Sequence, residues 1–369
     1  MFGNTFSGKN VLISGHTGFK GSWLTLWLLK LGANVTGISS DIPTQPSLFE
    51  VLQIENKINH HIFDIRDKAA LEAVVQKIQP DFIFHLAAQA IVSTSYIEPL
   101  ETISTNVLGT ATLLDVIREL DIETKTVIIT SDKCYENVEW VWGYRETDVL
   151  GGKDVYSASK GAAEIIFHSY YQSFFKNSRN IKIASARAGN VLGGGDWSRD
   201  RIVVDCMINW SQKKSVKLRS PAATRPWQHV LEPLSGYLSL AQNLINSQNV
   251  QGESYNFGPR SEQNRTVLEL LTGLKKRWSF DETFKAFEIT DNITFKEAGL
   301  LKLNCDKALA DLGWRSNLDY EDCIAMVGDW YYSYYNDNEN MYEFTLSQIN
   351  SFEETAKINS ITWAKNDFM

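Results

Sequence analysis

The sequence predicts an α/β fold, a doubly wound parallel sheet with a smaller, interleaved lobe. Three observations carry this. Short apolar runs alternate with helical stretches along the first half of the chain, the order that a parallel sheet covered by helices requires. The first run, Val11-Leu12-Ile13-Ser14, leads straight into Gly15-His16-Thr17-Gly18-Phe19-Lys20-Gly21 and then an apolar helical stretch, the strand, glycine turn and helix of a Rossmann-type dinucleotide site. A chain of 369 residues with 43% hydrophobic content also has ample material for a large core and a second lobe.

Taken in order, the first strand is Val11 to Ser14. The helix after the glycines sets Trp23, Leu24, Trp27, Leu28 and Leu31 on one side, with Gly32 as its stop. Asn34 to Ser39 reads as the second strand, His61 to Asp64 as the third and Asp81 to Leu86 as the fourth. Thr126 to Thr130 is the fifth and Ile181 to Ala186 the sixth. Residues 1–190 form the expected NAD-binding domain, with later returns near 228–257, where Gln228-His229-Val230 re-enters and Tyr255-Asn256-Phe257-Gly258 reads as strand and turn. Residues 191–227 and about 258–335 form the expected substrate-binding lobe, and 336–369 a C-terminal extension of unknown role. The aromatic cluster Trp330, Tyr331, Tyr332, Tyr334 and Tyr335 suits core, subunit interface or base stacking, packing being favoured.

Composition excludes several functions. A net charge of −8 argues against a nucleic-acid surface. No apolar run approaches the ~20 residues of a membrane span, and the N-terminus lacks a signal-peptide pattern, so the expected location is the cytoplasm and no membrane partner is expected. The four cysteines, Cys134, Cys206, Cys305 and Cys323, and the six histidines show no metal-ligand or disulfide spacing, so no metal is expected. His60 and His61 read as strand-edge residues.

The glycine turn has the spacing G-x-x-G-x-x-G. Gly15 and Gly18 let backbone approach a pyrophosphate at the helix N-terminus, and Gly21 permits close helix packing. With Thr17, Phe19 and Lys20 they are the first cofactor candidates. A ribose-binding acid belongs about 20 residues further on, where Asp41 stands. No arginine is near it to hold a 2′-phosphate, which favours NAD over NADP. Asp64-Ile65 is placed to receive the adenine, and Leu86-Ala87-Ala88-Gln89 supplies small residues where a strand end passes the cofactor; both segments also read as plain strand caps.

Tyr156 and Lys160 in Tyr156-Ser157-Ala158-Ser159-Lys160 follow the cluster Ser131-Asp132-Lys133. A tyrosine ionises near pH ~10, so a base near neutrality needs a shift of roughly three units, about 4 kcal/mol. Lys160, one helical turn on, can approach the phenol oxygen and supply much of it. A Tyr and a Lys on a partly exposed helix show the same spacing, and the glycine turn is what favours the catalytic reading.

These segments, with Asn106-Val107-Leu108-Gly109-Thr110 and Arg187-Ala188-Gly189-Asn190-Val191, resemble the extended short-chain dehydrogenase/reductase family, especially its NAD-dependent nucleotide-sugar epimerases and dehydratases. Within it, Gly15 to Trp23, Ser131 to Tyr135, Trp140 to Glu146, Gly195-Asp196-Trp197 and Arg225 to Val230 resemble the CDP-glucose 4,6-dehydratases. The likeness implies NAD as cofactor, CDP-glucose or a related nucleotide-sugar as substrate, and a homo-oligomer. It implies that Tyr156 is the base for oxidation at carbon 4, Ser131 holds the substrate hydroxyl, Lys160 also binds the nicotinamide ribose, and Asn106 belongs to the cofactor site. Asp132 would protonate the departing hydroxyl of carbon 6 and Lys133 remove the proton of carbon 5. The dTDP-glucose dehydratases carry Thr-Asp-Glu here, so Lys133 is a departure that fits the CDP-glucose group. A lysine base must lose its proton, which needs burial or a neighbouring cation; a cation paired to Asp132 or to substrate phosphate is the other reading.

In the second lobe, Gly193-Gly194-Gly195 beside Asp196 and Trp197 reads as a substrate loop. Asn190, Arg201, Arg219 and Arg225 are the candidates for diphosphate. Three functions stay open: a dehydratase; an epimerase or dehydrogenase, which needs no acid for water loss; and a noncatalytic NAD-binding protein, which needs no Tyr156-Lys160 pair.

Overall fold

The computed structural model describes residues 1–218, 220–260, 262–278, 280, 283–290, 300–337 and 339–365. Strands β1 (Asn10–Ser14), β2 (Asn34–Ser39), β3 (Asn59–Ile62), β4 (Phe82–His85), β5 (Thr124–Ile129) and β6 (Ile181–Ala188) alternate with helices α1 (Phe19–Lys30), α2 (Leu48–Val51), α3 (Lys68–Ile78), α4 (Val92–Ile97), α5 (Pro99–Ile103), α6 (Gly109–Leu120) and α7 (Val155–Tyr170). Beyond them come strands β7 (Val191–Leu192), β8 (Val216–Leu218), β9 (Thr224–Pro226), β10 (Gln228–His229), β11 (Ser254–Phe257), β12 (Asn264–Thr266) and β13 (Phe287–Ile289). The accompanying helices are α8 (Ile202–Ser211), α9 (Leu231–Asn246), α10 (Val267–Lys275), α11 (Asp306–Leu312), α12 (Tyr320–Asn336) and α13 (Met341–Ile358).

Seven strands form one sheet in the order β11-β6-β5-β4-β1-β2-β3, parallel at every pairing. Successive residues point to opposite faces, so Val11 and Ile13 enter one buried cluster with Trp23 and Trp27, while Leu12 enters the other with Ile117 and Phe167. The order reverses beside β1, and the strand ends on either side of it converge on the glycine turn. β10 pairs with β7, β12 with β9 and β13 with β8 in small outlying ladders. Among the described residues no helix is long and apolar enough to cross a membrane.

Two local expectations change. The third strand is Asn59–Ile62 rather than His61 to Asp64, because the Asp64 carboxylate accepts the Arg66 amide at 2.8 Å and the Asp64 carbonyl accepts the Asp67 amide at 2.9 Å, turning the chain toward α3. His60 and His61 do lie on this edge strand. Helix α1 is buried on all sides from Gly21 to Leu28 rather than on one, since the C-terminal segment covers its back. Trp27 donates to Glu353 of α13 at 2.8 Å, Lys30 pairs with the same carboxylate, and Trp363 stacks on Phe2 and Phe352.

Burial also constrains three histidines. His85 bridges Ser14 Oγ at 2.7 Å and Thr110 Oγ1 at 3.1 Å, and burial pushes it down to about 3. His229 is likewise pushed down to about 3 and His16 to about 4. Each is neutral in the fold and protonates near pH ~6.5 when unfolded. The stabilisation is therefore fully present above the unfolded value and is lost as pH falls below it toward the folded values. Urea unfolding should show stability falling between pH 7 and pH 5, by about 1 kcal/mol per pH unit for each such histidine. His85→Gln should flatten that dependence; an unchanged slope would contradict the assignment.

Candidate active site

Gly15 is held at φ +80°, and its amide donates to Ile38 at 2.7 Å. A Cβ there would stand 2.8 Å from the Ala87 amide nitrogen, and one on Gly21 would stand 2.1 Å from the Gly15 carbonyl. Only glycine allows β1, β4 and α1 to meet this closely. Gly18 caps α1, whose first turn has neither a side-chain cap nor an acidic residue. Those amides and the positive end of the helix suit a pyrophosphate. Beneath the turn, His16 contacts His60 at 2.7 Å and Ser39 at 3.0 Å. Thr17 donates to the Asp41 carbonyl at 2.7 Å, and Phe19 faces Gly193.

The rest of the expected cofactor residues line the neighbouring strand ends. Asp41 is exposed just past β2, its carboxylate accepting from Ser40 at 3.0 Å. Asp64 is bound by the Arg66 guanidinium, which also holds Glu101; the Arg66 hydrogen bond holds the Asp64 carboxyl below its usual range. Ile65 is buried. Leu86, Ala87, Ala88 and Gln89 run out of β4, half-buried. Asn106 lies in a π-helical turn between α5 and α6, the kind of irregularity that re-aims a side chain. Its amide oxygen accepts the Gln89 amide at 2.8 Å, and its nitrogen donates to the Gln89 carbonyl at 3.1 Å and to Ser159 at 2.8 Å. It brackets the β4 loop to the helix bearing Tyr156 and Lys160.

Ser131, Asp132 and Lys133 follow β5 directly. The Ser131 hydroxyl donates to Asp132 at 2.9 Å and accepts the Lys133 amide at 3.2 Å. Burial raises the Asp132 carboxyl above its usual range, against the charge of Lys133, the Ser131 bond and Lys20. An acid so placed favours holding its proton. Lys133 is half-buried and closes no ion pair with Asp132 among the described residues.

Tyr156 differs from expectation. Burial and then the Asp132 charge push its phenol up to about 12, while Arg201 and a hydrogen bond with Ser131 act downward. Lys160 lies over the ring, 5.9 Å from its centroid, and burial pushes its ammonium down to about 8. Lys160 thus stands at the ring of Tyr156, and Arg201 is a further cation acting on its phenol. Lys20, expected at the cofactor, faces the same cluster: burial and Arg201 push it down to about 8, and it feels Asp132, Lys160 and Asp196.

A residue not anticipated from the sequence underlies the site. Glu164, one further turn along the α7 face, is paired with Arg187 at 2.8 Å, their side chains 0% and 1% exposed. Its carboxylate also accepts from Thr130, from Ser185 at 2.9 Å and from Ser254 at 3.1 Å. The positions 156, 160 and 164 share one helical face, which was the available signal.

In the second lobe, Asn190 lies half-buried between β6 and β7. Asp196 pairs with Arg201 at 2.8 Å. Trp197 is buried against Trp330, Tyr331 and Tyr334, so the aromatic cluster of α12 is core packing. Arg225 is half-buried on β9 and donates to the Thr224 carbonyl at 2.8 Å. Arg219 lies outside the described residues. The free cysteines stand apart, and among the described residues no group of three or more His, Cys, Asp or Glu could hold a metal ion.

Residues 12–327 match the family model GDP-mannose 4,6 dehydratase. A CDP-glucose 4,6-dehydratase of Salmonella typhimurium is 43% identical over 333 residues, 89% of this chain and 92% of its own. The fold is similar to a UDP-glucose 4-epimerase with UDP-glucose from Thermotoga maritima, at TM-score 0.75 and 21% identity over 88% of this chain and 99% of that one. It is similar also to a dTDP-glucose 4,6-dehydratase from Bacillus anthracis in complex with NAD, at TM-score 0.73 and 20% identity over 92% of this chain and 100% of that one.

Glu164→Gln should lower the unfolding free energy by about 3–5 kcal/mol, since Arg187 is left as an uncompensated buried charge. The double variant Glu164→Leu with Arg187→Met should lose less in the same denaturant titration. A single variant as stable as wild type would contradict the pairing.

Proposed function

The chain belongs to the GDP-mannose 4,6 dehydratase family, and from that premise we propose that it is a lyase that converts CDP-D-glucose to CDP-4-keto-6-deoxy-D-glucose and water. The observation that carries the reading is a buried acid, Asp132, beside the phenol of Tyr156, with Lys133 next in sequence. A 4-epimerase or a simple dehydrogenase has no need of an acid for water loss. The 43% identity to the Salmonella enzyme supports CDP-glucose among the nucleotide-sugars.

The cofactor is NAD, and the glycine turn with Asp41, Asp64, Ile65, Leu86 to Gln89, Asn106 and Lys160 would hold it. When bound, NAD would supply the acceptor for the hydride of carbon 4 and the donor of that hydride to carbon 6, and its positive nicotinamide ring would favour the Tyr156 phenolate. Tyr156 removes the proton of the carbon-4 hydroxyl, with Ser131 holding that hydroxyl. The 4-keto group acidifies the bond from carbon 5 to hydrogen, and Lys133 takes that proton. Asp132 protonates the carbon-6 hydroxyl, which leaves as water, and carbon 5 is reprotonated after carbon 6 is reduced. Asn190, Arg201 and Arg225, with Arg219, bind the diphosphate, and Asp196 and Trp197 shape the loop that presents Arg201.

Tyr96, Ile97 and Leu100 are 70%, 79% and 80% exposed on α4 and α5, which supports a homo-oligomer built across these helices. The reduced thiols and acidic balance go with a cytoplasmic enzyme.

Mass spectrometry of the purified chain with NAD and a panel of nucleoside-diphosphate glucoses tests the reading. CDP-glucose should lose one water. Tyr156→Phe should slow that loss by about 10²-fold or more while NAD affinity is kept. A product of unchanged mass, or preference for another base, overturns the substrate and reaction proposed.

A further inference from the structure

The segment Ser131-Asp132-Lys133 is tied to the helix that bears Tyr156 through a single hydroxyl. The two oxygens of the Glu164 carboxylate have separate partners. Oε2 accepts from Arg187 at 2.8 Å, from Ser185 at 2.9 Å and from Ser254 at 3.1 Å, which fixes it to β6 and β11. Oε1 accepts from the Thr130 hydroxyl, its one hydrogen bond among the described residues. Thr130 is buried, its amide donates to the Ala186 carbonyl of β6 at 2.9 Å, and the next residue is Ser131. Asp132–Cys134 then form one 3-10 turn capped by the Ser131 hydroxyl, so these residues move as a unit. The turn rests directly on α7, where a Cβ on Gly161 would stand 3.3 Å from the Cys134 carbonyl oxygen and 3.2 Å from that of Gly151. No side chain of Gly161 keys that contact against sliding. The bond from Thr130 to Glu164, three residues further along the helix, does.

We infer that Thr130 is a positioning residue of the acid–base centre, holding Ser131-Asp132-Lys133 in register with Tyr156 and Lys160 through the Glu164 carboxylate. The inference deepens the dehydratase reading and rests on its assignment of those groups. Every link is a hydrogen bond or the chain itself. Glu164 follows Lys160 by one helical turn and Tyr156 by two on the same face of α7, so the helix is the spacer between them. Ser131 follows Thr130 by one peptide, and its hydroxyl donates to Asp132 at 2.9 Å and accepts the Lys133 amide at 3.2 Å. Without the Thr130 hydroxyl, Oε1 loses its partner in a place closed to solvent. An unpaired carboxylate oxygen there is costly, and the helix or the strand end shifts to bring up another donor. A displacement of ~1 Å costs about 10²-fold in rate, whereas the glycine turn and the second lobe are not touched by this bond.

Thr130→Val tests this, because it keeps the branched shape and removes the hydroxyl. Its kcat should fall about tenfold or more, while KM for the nucleotide-sugar and the NAD affinity, from fluorescence titration, stay within about twofold. Thr130→Ser keeps the donor and should hold kcat within about threefold of wild type. Thr130→Ala removes the same hydroxyl with a smaller side chain, which covers a Thr130→Val protein that fails to fold. Thr345→Val makes the same exchange at a buried threonine of α13, whose hydroxyl accepts from Trp330 at 2.8 Å; it should lower stability and leave kcat in place. A kcat unchanged in both Thr130→Val and Thr130→Ala overturns the inference, as do a Thr130→Ser protein as slow as they are and an equal loss in Thr345→Val. Turnover is followed on whichever nucleotide-sugar the wild type converts, so a wrong product defeats the dehydratase reading without touching this comparison.

Discussion

Glu164 carries a carboxylate to a place fully closed to solvent, and Asp132, Tyr156 and Lys160 keep their relative positions through the bonds that hold it there. A buried ionised carboxylate is tolerable only when a charge and several hydrogen bonds replace water. Arg187 supplies the charge, and hydroxyls come from Thr130 just past β5, Ser185 within β6 and Ser254 at the start of β11. Burial works to raise the carboxyl, and Arg187 with these bonds overcomes it and holds the value down to about 2. Thr130 immediately precedes Ser131 and Asp132, while Glu164 lies on the same face of α7 as Tyr156 and Lys160. The pair therefore registers Asp132, just past β5, against Tyr156 and Lys160 on α7. Arg187 extends the bracing to Tyr135 at 2.8 Å and the Glu146 carbonyl at 3.1 Å, and Tyr135 is bound in turn to Asn256 of β11 at 2.8 Å. Because a half-satisfied network of this kind costs more than an apolar core, the arrangement has few neighbouring alternatives.

The electrostatics of the cleft follow from the same burial. Burial raises the Asp132 carboxyl and the Tyr156 phenol, and it lowers the Lys20 and Lys160 ammonium groups. Burial that disfavours the charged form of a carboxylic acid and of a neighbouring phenol tunes both groups for proton transfer. The cations around them come from different places in the chain: Lys20 from the glycine turn, Lys160 from α7 and Arg201 from the loop anchored by α12. That loop is tied to α12 by Tyr331, whose hydroxyl donates to the Asp196 carbonyl at 2.6 Å and accepts the Asp196 amide at 3.1 Å.

The sheet was legible because strand runs bounded by glycine and polar turns are local signals. The second strand falls on Asn34 to Ser39 as read, and the glycine turn sits between the first strand and the first helix. The misplaced third strand turned on a single side chain, Asp64, whose bond to the following amide no periodicity reports. The candidate groups Ser131, Asp132, Tyr156 and Lys160 were singled out from spacing and lie just past β5 and along α7, but the place of the Lys160 ammonium over the Tyr156 ring was not readable, since helical spacing puts two residues on one face without aiming one at the other. Tyr331 and Asp196, 135 positions apart, could not be joined by any local pattern. The all-round burial of α1 likewise depends on the C-terminal segment, a tertiary contact that overrides the one-sided stripe.

The account's central claim is that oxidation at carbon 4 and water loss at carbons 5 and 6 occur in one cleft within one turnover. CDP-glucose deuterated at carbon 4, mixed with unlabelled CDP-glucose and turned over by the purified chain with NAD, measures this by mass spectrometry and NMR of the product. The account predicts deuterium at carbon 6 of the same sugar molecule that carried it at carbon 4, without crossover between molecules. Product bearing no deuterium at carbon 6, or label retained at an inverted carbon 4, would contradict it.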